Sequence, residues 1–322
     1  MSRFNRDQAI MSLPSPDLMN SAASEIDGES GDALASATTF SHRWLSDYDY
    51  ALLNPLRLEQ EEWQDLPLSS LTPQWLKEQS AYMPMLLSVK DLTALQRSTL
   101  LSRIETREQR GEAFLTGLLS SHAERPGLVA HLCRLLVMTR QDNGQRYLLR
   151  YYDPRVMRHL QWLLNDQQHA ALYGPADIWA WPVSNGWVRN TRRSTEYSVG
   201  TRLILEPRQW ETLERMALIN RALSELEILA PDLPHDDMLS QRLDAALAQA
   251  KTELALPDSE DWLFCAIQAV RFHPQIHHHP QLLERLAHAA TRRSSYAAAC
   301  ADVDDAAWLS MAAQMNAPLL TA

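Results

Sequence analysis

The densest run of metal-ligand side chains is FHPQIHHHP, which carries His273, His277, His278 and His279. Neutral imidazoles at close spacing are what a zinc site needs. Pro274 and Pro280, however, forbid the regular helix that would set two of them four residues apart on one face. No cysteine or acid within the run completes a ligand set, so it reads as a solvated loop between helices and no metal is expected. DVDD, residues 302–305, resembles half of a cation loop but lacks the glycine and terminal glutamate of an EF-hand. Carboxylates there suit a helix N-terminus, whose dipole they complement. His131 and Cys133 have the chemistry of a base and a nucleophile, yet two residues apart on a helix they diverge, and Cys133 reads as a core thiol. G-x-S-x-G, the P-loop, H-E-x-x-H and the dinucleotide fingerprint are all missing. With nine glycines in 322 residues there is little material for a phosphate-cradling loop. No catalytic residue, no cofactor and no enzymatic activity are expected.

A different chemistry is offered by LLRYYDPRVMRHLQWLL, residues 148–164. Arg150, Asp153 and Arg155 could clamp a ligand carboxylate. More often such a set ties a strand end to a helix start through charge-assisted hydrogen bonds. Asp153 is a good N-cap and Pro154 fits the first helical position, so Asp153→Ala is expected to cost about 1 kcal/mol, more if an arginine also pairs with it. Ahead of it a strand should alternate Tyr147, Leu149 and Tyr151 on one face with Arg146, Leu148, Arg150 and Tyr152 on the other. Behind it Val156, Leu160, Leu163 and Leu164 form the inward stripe of a helix. Arg155, His159 and Trp162 follow one flank. Arginine and tryptophan are enriched at binding hot spots, which makes this flank the candidate partner surface, exposed and dispensable for folding.

The elements around it follow from local signals. YALLNPL reads as a buried strand ending at Pro55, and LTPQWLKEQ as a helix with Thr72 at the N-cap and Pro73 at the first position. The proline in YMPMLLSV suggests a short or edge strand. Residues 92–107 read as a helix with Leu92, Leu95, Thr99 and Leu100 near one face. EAFLTGLLSS fits a strand or short helix, and PGLVAHLCRLLVM a helix running into a strand. Asp142-Asn143-Gly144 signals a hairpin with a type I′ turn, joining strands near 135–140 and 145–152. IWAWP, Ser184-Asn185-Gly186 and WVRNT form a second hairpin, with Trp179, Trp181 and Trp187 mostly in the core.

Beyond residue 201 helix follows helix. Leu213, Met216, Ile219, Leu223 and Leu226 mark the first, ended by Pro231 and Pro234. Leu239, Leu243, Leu247, Ala250 and Leu254 mark the second. Pro257-Asp258 opens a third with Trp262, Leu263, Ile267 and Val270, and further helices are expected at 281–292 and 303–315. The expected class is α+β: a disordered tail over 1–42, an α+β domain over 43–190 with antiparallel hairpins, and a helical C-terminal lobe over 200–322.

The whole chain carries a formal charge of −10, which argues against a nucleic-acid partner. Apolar residues make up 45% of it, enough for a substantial core. Cys133, Cys265 and Cys300 are far apart and odd in number, as in reduced, intracellular proteins. Neither a signal-peptide core nor a stretch of membrane-spanning length is evident, so a cytoplasmic protein without stable membrane insertion is expected.

Taken in order, YALLNPL, YMPMLLSV, LVAHLCRLLVM, the D-N-G turn, LLRYYDPRVMRHL and QQHAALYGPADIW resemble the type VI secretion effector chaperone/adaptor family, whose members carry a domain long described as of unknown function. The resemblance covers residues 48–181 and is most specific at RYYDPR with Gly174-Pro175 downstream. It marks Arg150, Tyr152, Asp153, Pro154, Arg155, Gly174 and Pro175 as family-motif positions, mainly structural. The chain departs from the pattern at Asn54, where the family tends to have Asp, and at Arg134, shifted within HLCRL. The resemblance implies a cytoplasmic, non-catalytic adaptor. Its partners would be a secreted toxin effector, or that effector's N-terminal segment, and the VgrG or PAAR spike protein. A hydrolase with dispersed carboxylates and histidines, or an immunity protein that binds a toxin, are the rival readings.

Overall fold

The computed structural model describes residues 10–13, 38, 40, 43–184, 186–194, 200–291 and 294–316, and its class is α+β. Two compact units are present, Ala9–Trp210 and a second beginning at Glu211. Among the described residues the first unit contains strands β1 (Ile10–Leu13), β2 (Tyr50–Leu53), β3 (Leu68–Ser70), β4 (Met85–Ser88), β5 (Gly117–Ser120), β6 (Val137–Thr139), β7 (Arg146–Leu149), β8 (Ile178–Val183) and β9 (Gly186–Thr191). Its helices are α1 (Trp44–Asp47), α2 (Ala94–Glu108), α3 (Arg125–Leu135), α4 (Pro154–Leu163) and α5 (Asp166–Tyr173). An antiparallel six-stranded sheet has the order β3-β4-β2-β5-β8-β9, and a three-stranded sheet the order β1-β7-β6.

All four residues of β2 are buried, which explains why YALL is a continuous apolar run. Ala51 and Leu53 pack with Leu87, Leu118 and Ala180 and with Leu100 and Ile104 of α2. On the intervening positions Leu52 sits opposite Leu86, and Tyr50 opposite Leu119, all buried. β4 is therefore an interior strand of four residues, short as its proline suggested but not an edge. Pro84 lies just ahead of it, where its carbonyl accepts from Leu71 and its missing N–H interrupts no ladder.

Other local readings shift in instructive ways. The LTPQW segment is a 3-10 stretch, Gln74–Tyr82, broken at Leu76, and the Thr72 hydroxyl bonds to Ser70 instead of capping a helix. The effective cap comes twenty-one residues later. Thr93 and Gln96 form a reciprocal capping box at the start of α2. Thr93→Ala should lower stability by about 1 kcal/mol in a denaturant titration, whereas Thr72→Ala should change it by no more than about 0.5 kcal/mol. The inward face of α2 is Leu100, Ile104 and Arg107, the last held by Glu62 and Glu112, while Leu95 is 77% exposed.

The hairpin at Asn143-Gly144 joins β6 to β7 as expected, but the turn is longer than type I′. Only Gly144 has positive φ (66°), and its N–H donates to the Arg140 carbonyl at 2.9 Å. β7 ends at Leu149, and Arg150–Asp153 close a turn through the Asp153 N–H and the Arg150 carbonyl. Strand alternation therefore stops there, and Tyr151 and Tyr152 are both buried. The β8–β9 hairpin forms as read, with Trp179, Trp181 and Trp187 buried; Asn185 lies outside the described residues.

Within the segment expected to be a disordered tail, Ile10–Leu13 pairs antiparallel with Arg146–Leu149, and Thr38 bridges to Trp187. Phe40 packs against Trp187 and Trp44. The rest of residues 1–42 lies outside the described residues. The first unit also extends past the expected boundary near 190–200, to Trp210. Leu203 and Leu205 are buried, and Gln209 donates to the Leu163 carbonyl at 2.8 Å and exchanges amide hydrogen bonds with Gln168. Trp210 packs against Tyr147 with the rings tilted and their centroids 5.1 Å apart.

The second unit is helical: α6 (Pro207–Leu229), whose first turn lies in the preceding unit, then α7 (Asp237–Thr252), α8 (Ser259–Arg271), α9 (Pro280–Ala290), α10 (Tyr296–Ala299) and α11 (Asp305–Asn316). Ile219, Leu223, Leu226, Leu239, Leu243, Leu247, Leu263 and Ile267 form one core cluster, as their spacing required. Asp258 caps α8. The histidine run is not solvated throughout: His277 and His279 are buried, at 4% and 5% exposure. The two ring nitrogens of His277 bond to the Tyr296 hydroxyl and the Cys265 carbonyl, and those of His279 to Gln314 and the Gln281 N–H. Of the acidic run, Asp302 pairs with Arg285, Asp305 pairs with Arg271, and Asp304 accepts from the Ala307 N–H.

Candidate functional site

The RYYDPR turn sits where β7 hands over to α4, and its centre is a carboxylate. Asp153 is 1% exposed. Its Oδ1 accepts from the Arg155 backbone N–H (3.0 Å) and Nε (3.2 Å), which makes it the N-cap that sequence implied. Oδ2 accepts from Arg155 (3.0 Å) and Arg150 (3.3 Å), and Arg57 stands 3.9 Å away. Burial pushes this carboxyl up, but the Arg155 hydrogen bonds and the charges of Arg155, Arg57 and Arg150 outweigh it and hold it below the ordinary carboxylate range. A buried carboxylate kept ionised by arginines is a poor proton donor near neutral pH. Its physical work is to lock the strand–helix junction. Arg57 has no counterpart in the sequence reading, because nothing in residue spacing links it to a motif almost a hundred positions away.

Tyr152 lies beneath the Arg150 guanidinium, 5.9 Å from ring centre to charge. Tyr151 donates its hydroxyl to the Leu132 carbonyl and meets Trp179 edge-on. Pro154 occupies the first turn of α4. Thus Arg150, Tyr152, Asp153, Pro154 and Arg155 form one cluster.

Gly174 and Pro175 belong to a different set of contacts. Gly174 ends α5 at φ 56°, ψ −123°, and a Cβ there would lie 2.2–2.5 Å from the His131 ring. His131 is 1% exposed and donates from Nε2 to the Leu172 carbonyl at 3.0 Å. The glycine is thus required twice, by backbone conformation and by the imidazole against it. Gly174→Ala should cost roughly 2–3 kcal/mol from backbone strain and overpacking combined. A His131→Ala, Gly174→Ala double variant should regain part of that loss, as a double-mutant cycle would record. Pro175 accepts from the Ser121 hydroxyl at 2.7 Å, and the Ser121 N–H donates to Asp49.

The flank of α4 differs from its sequence reading. His159 is completely buried and cannot be a surface contact; its Nδ1 accepts from the Trp162 indole at 3.1 Å. Arg155 is turned back onto Asp153, with 39% of its side chain exposed. Trp162 is half-buried and is the member of the trio with a large apolar surface still partly open. The stripe gains Met157 and Gln161, both buried, while Leu163 is half-buried.

Gln161 is the residue that sequence reasoning missed. Its Oε1 accepts from His169 (3.1 Å), Asn190 (3.1 Å) and Tyr173 (3.4 Å), and its backbone carbonyl accepts from Arg193 (2.6 Å). This one amide joins α4, α5 and β9. Burial, with a smaller effect from Arg193, lowers the His169 pKa to about 3, and burial lowers that of His131 to about 4. The only available signal was polarity at an inward helical position, which spacing does not connect to its three partners.

Among the described residues, no group of three or more His, Cys, Asp or Glu side chains is placed to hold a metal ion. Among the described residues, no helix is long and apolar enough to cross a membrane. Residues 48–171 match the family model described as "Domain of unknown function (DUF4123)". No curated protein and no solved structure matches the chain.

Proposed function

We propose that the protein is a non-catalytic adaptor that holds a type VI secretion effector and delivers it to the VgrG or PAAR spike from the cytoplasm. The observation that carries this reading is the domain match over residues 48–171, a domain family known from type VI secretion effector adaptors, with RYYDPR inside the matched region. The structure is compatible with it in a specific way. The motif's charged residues are engaged with one another around Asp153, so any binding surface is to be sought on side chains that the junction positions. Trp162 is the first candidate, because the helix carrying it is anchored by Asp153 at one end and Gln161 near the other.

The test is affinity purification of the full chain from its native cell, with bound proteins identified by mass spectrometry. Co-purification of a toxin and a VgrG or PAAR protein is the expected result. Recovery of neither, from cells actively assembling the secretion apparatus, would sink the reading. Trp162→Ala is expected to shift the melting temperature by only a few degrees while reducing effector recovery by about tenfold or more, the scale of a hot-spot truncation. Undiminished recovery would move the contact surface elsewhere.

A further inference from the structure

We infer that β1 is a resident strand occupying a docking edge, and that an extended apolar segment of a partner protein takes its place along β7. The inference rests on the adaptor reading only in making another protein the donor of the incoming strand. Ile10–Leu13 pairs antiparallel with Arg146–Leu149 in the register Ile10↔Leu149, Met11↔Leu148, Ser12↔Tyr147 and Leu13↔Arg146. On its other side β7 pairs with β6, so departure of β1 would open the whole outer edge of β7. An open strand edge is a template for another strand, and backbone pairing supplies the affinity.

The resident strand is built to leave. It has four residues and is followed in sequence by Pro14 and Pro16, which have no N–H to donate to a ladder. Each residue it orders costs about as much conformational entropy as its hydrogen bond returns, so so short an edge strand is marginal. The stretch to Thr38 is rich in Ser, Ala, Asp and Glu. At Thr38 the chain is fastened again. Its N–H and carbonyl pair with Trp187 at 2.9 and 2.8 Å, against Gly186, where a Cβ would lie 2.7 Å from the Thr38 oxygen. A strand released from β7 therefore remains tethered at this second anchor and competes for its own edge. The incoming segment should resemble IMSL: apolar, extended and without proline over four residues.

The experiment uses the full chain and a fluorescein-labelled peptide of residues 6–17, RDQAIMSLPSPD, as the incoming strand. Successive N–H groups along a strand point to opposite sides, so in a Met11→Pro, Ser12→Pro double variant at least one donor to β7 is lost. By fluorescence anisotropy the variant should bind the peptide saturably and at least about tenfold more tightly than the native chain, whose own strand competes at a high effective concentration. A variant that melts like the native chain yet binds no peptide would overturn the proposal, as would equal binding by both chains. Should the variant not fold, amide exchange in the native chain decides: Ile10–Leu13 exchanging at least about a hundredfold faster than Tyr50–Leu53 supports a displaceable strand, and equal protection refutes it. Failure here leaves the purification test of the adaptor role unaffected, since that reads whole partners and not this edge.

Discussion

Lowering the pH from about 6.5 to 4.5 should remove roughly 5 kcal/mol of stability from the first unit, enough to unfold a domain of ordinary stability. The groups responsible are His131 and His169, each almost fully buried. Burial lowers their pKa values to about 4 and about 3, with Arg134 and Arg193 contributing in the same direction. Their hydrogen bonds fit the neutral ring: His169 donates from Nε2 to Gln161, and its Nδ1 accepts from the Arg193 N–H at 3.4 Å. In the unfolded chain both histidines take up a proton near pH 6.5, while in the folded chain they resist it until much lower pH. The unfolded state therefore binds more protons across this window. Stability is fully present above about pH 7 and falls by about 1.4 kcal/mol per pH unit for each ring until the folded pKa is reached. His277, lowered by burial to about 4, imposes the same dependence on the helical unit. Urea titrations followed by tryptophan fluorescence at a series of pH values would measure the slope. A midpoint that does not move between pH 7 and pH 5 would mean that the rings protonate in place, contrary to their burial.

Replacing Asp153 by alanine should destabilise the protein by about 3–5 kcal/mol, because it breaks a buried ion pair from one side and removes the cap of α4. The sequence alone assigned this residue the worth of an N-cap, about 1 kcal/mol, and more if an arginine also pairs with it. The difference comes from Arg150, whose side chain is only 5% exposed and faces the carboxylate, and from Arg155 and Arg57 behind it. Arg155→Ala should cost about 1–2 kcal/mol, because it removes charged hydrogen bonds from a partly exposed side chain and leaves Arg150 in place. Folding is therefore expected to register Arg155, against the initial reading of it as a dispensable surface residue. The sign with pH follows from the lowered pKa of Asp153: its contribution is complete above the unfolded carboxyl value of about 3.9 and is lost as pH falls through the folded value. Denaturant midpoints of Asp153→Ala, Asp153→Asn and Arg155→Ala test the order. An Asp153→Ala variant as stable as Arg155→Ala would show that Arg150 finds other compensation.

The candidate site was half legible. Asp153 and Pro154 announce a helix start within two residues, and the helix formed where they place it, while the strand before them stops at Leu149, short of the expected Tyr152. Trp179, Trp181 and Trp187 went to the core as expected for large side chains on hairpin strands. His159 was misplaced because a 3.6-residue period assigns a flank, not a depth. What covers a flank depends on elements elsewhere in the chain, and α4 packs on β8. The histidine run was misjudged for the same reason. Its prolines exclude a metal-binding helix, but they say nothing about Tyr296, Cys265 and Gln314, which close over His277 and His279.

What the sequence by itself determined is set by interactions within a turn or a hairpin: the caps at Asp153 and Asp258, the hairpin at Gly186, the apolar stripes of α6 and α7, and the change from mixed to helical texture. Those rules act over a few residues and need no knowledge of distant ones. Only the tertiary structure decided the order of the six-stranded sheet, the addition of Ile10–Leu13 to β7, the convergence of His169, Tyr173 and Asn190 on Gln161, the approach of Arg57 to Asp153, and the seat of His131 against Gly174. Each of these joins residues far apart in the chain. Such pairings are fixed by the collective requirement that buried polar groups find partners and that apolar faces leave water, which no local spacing specifies.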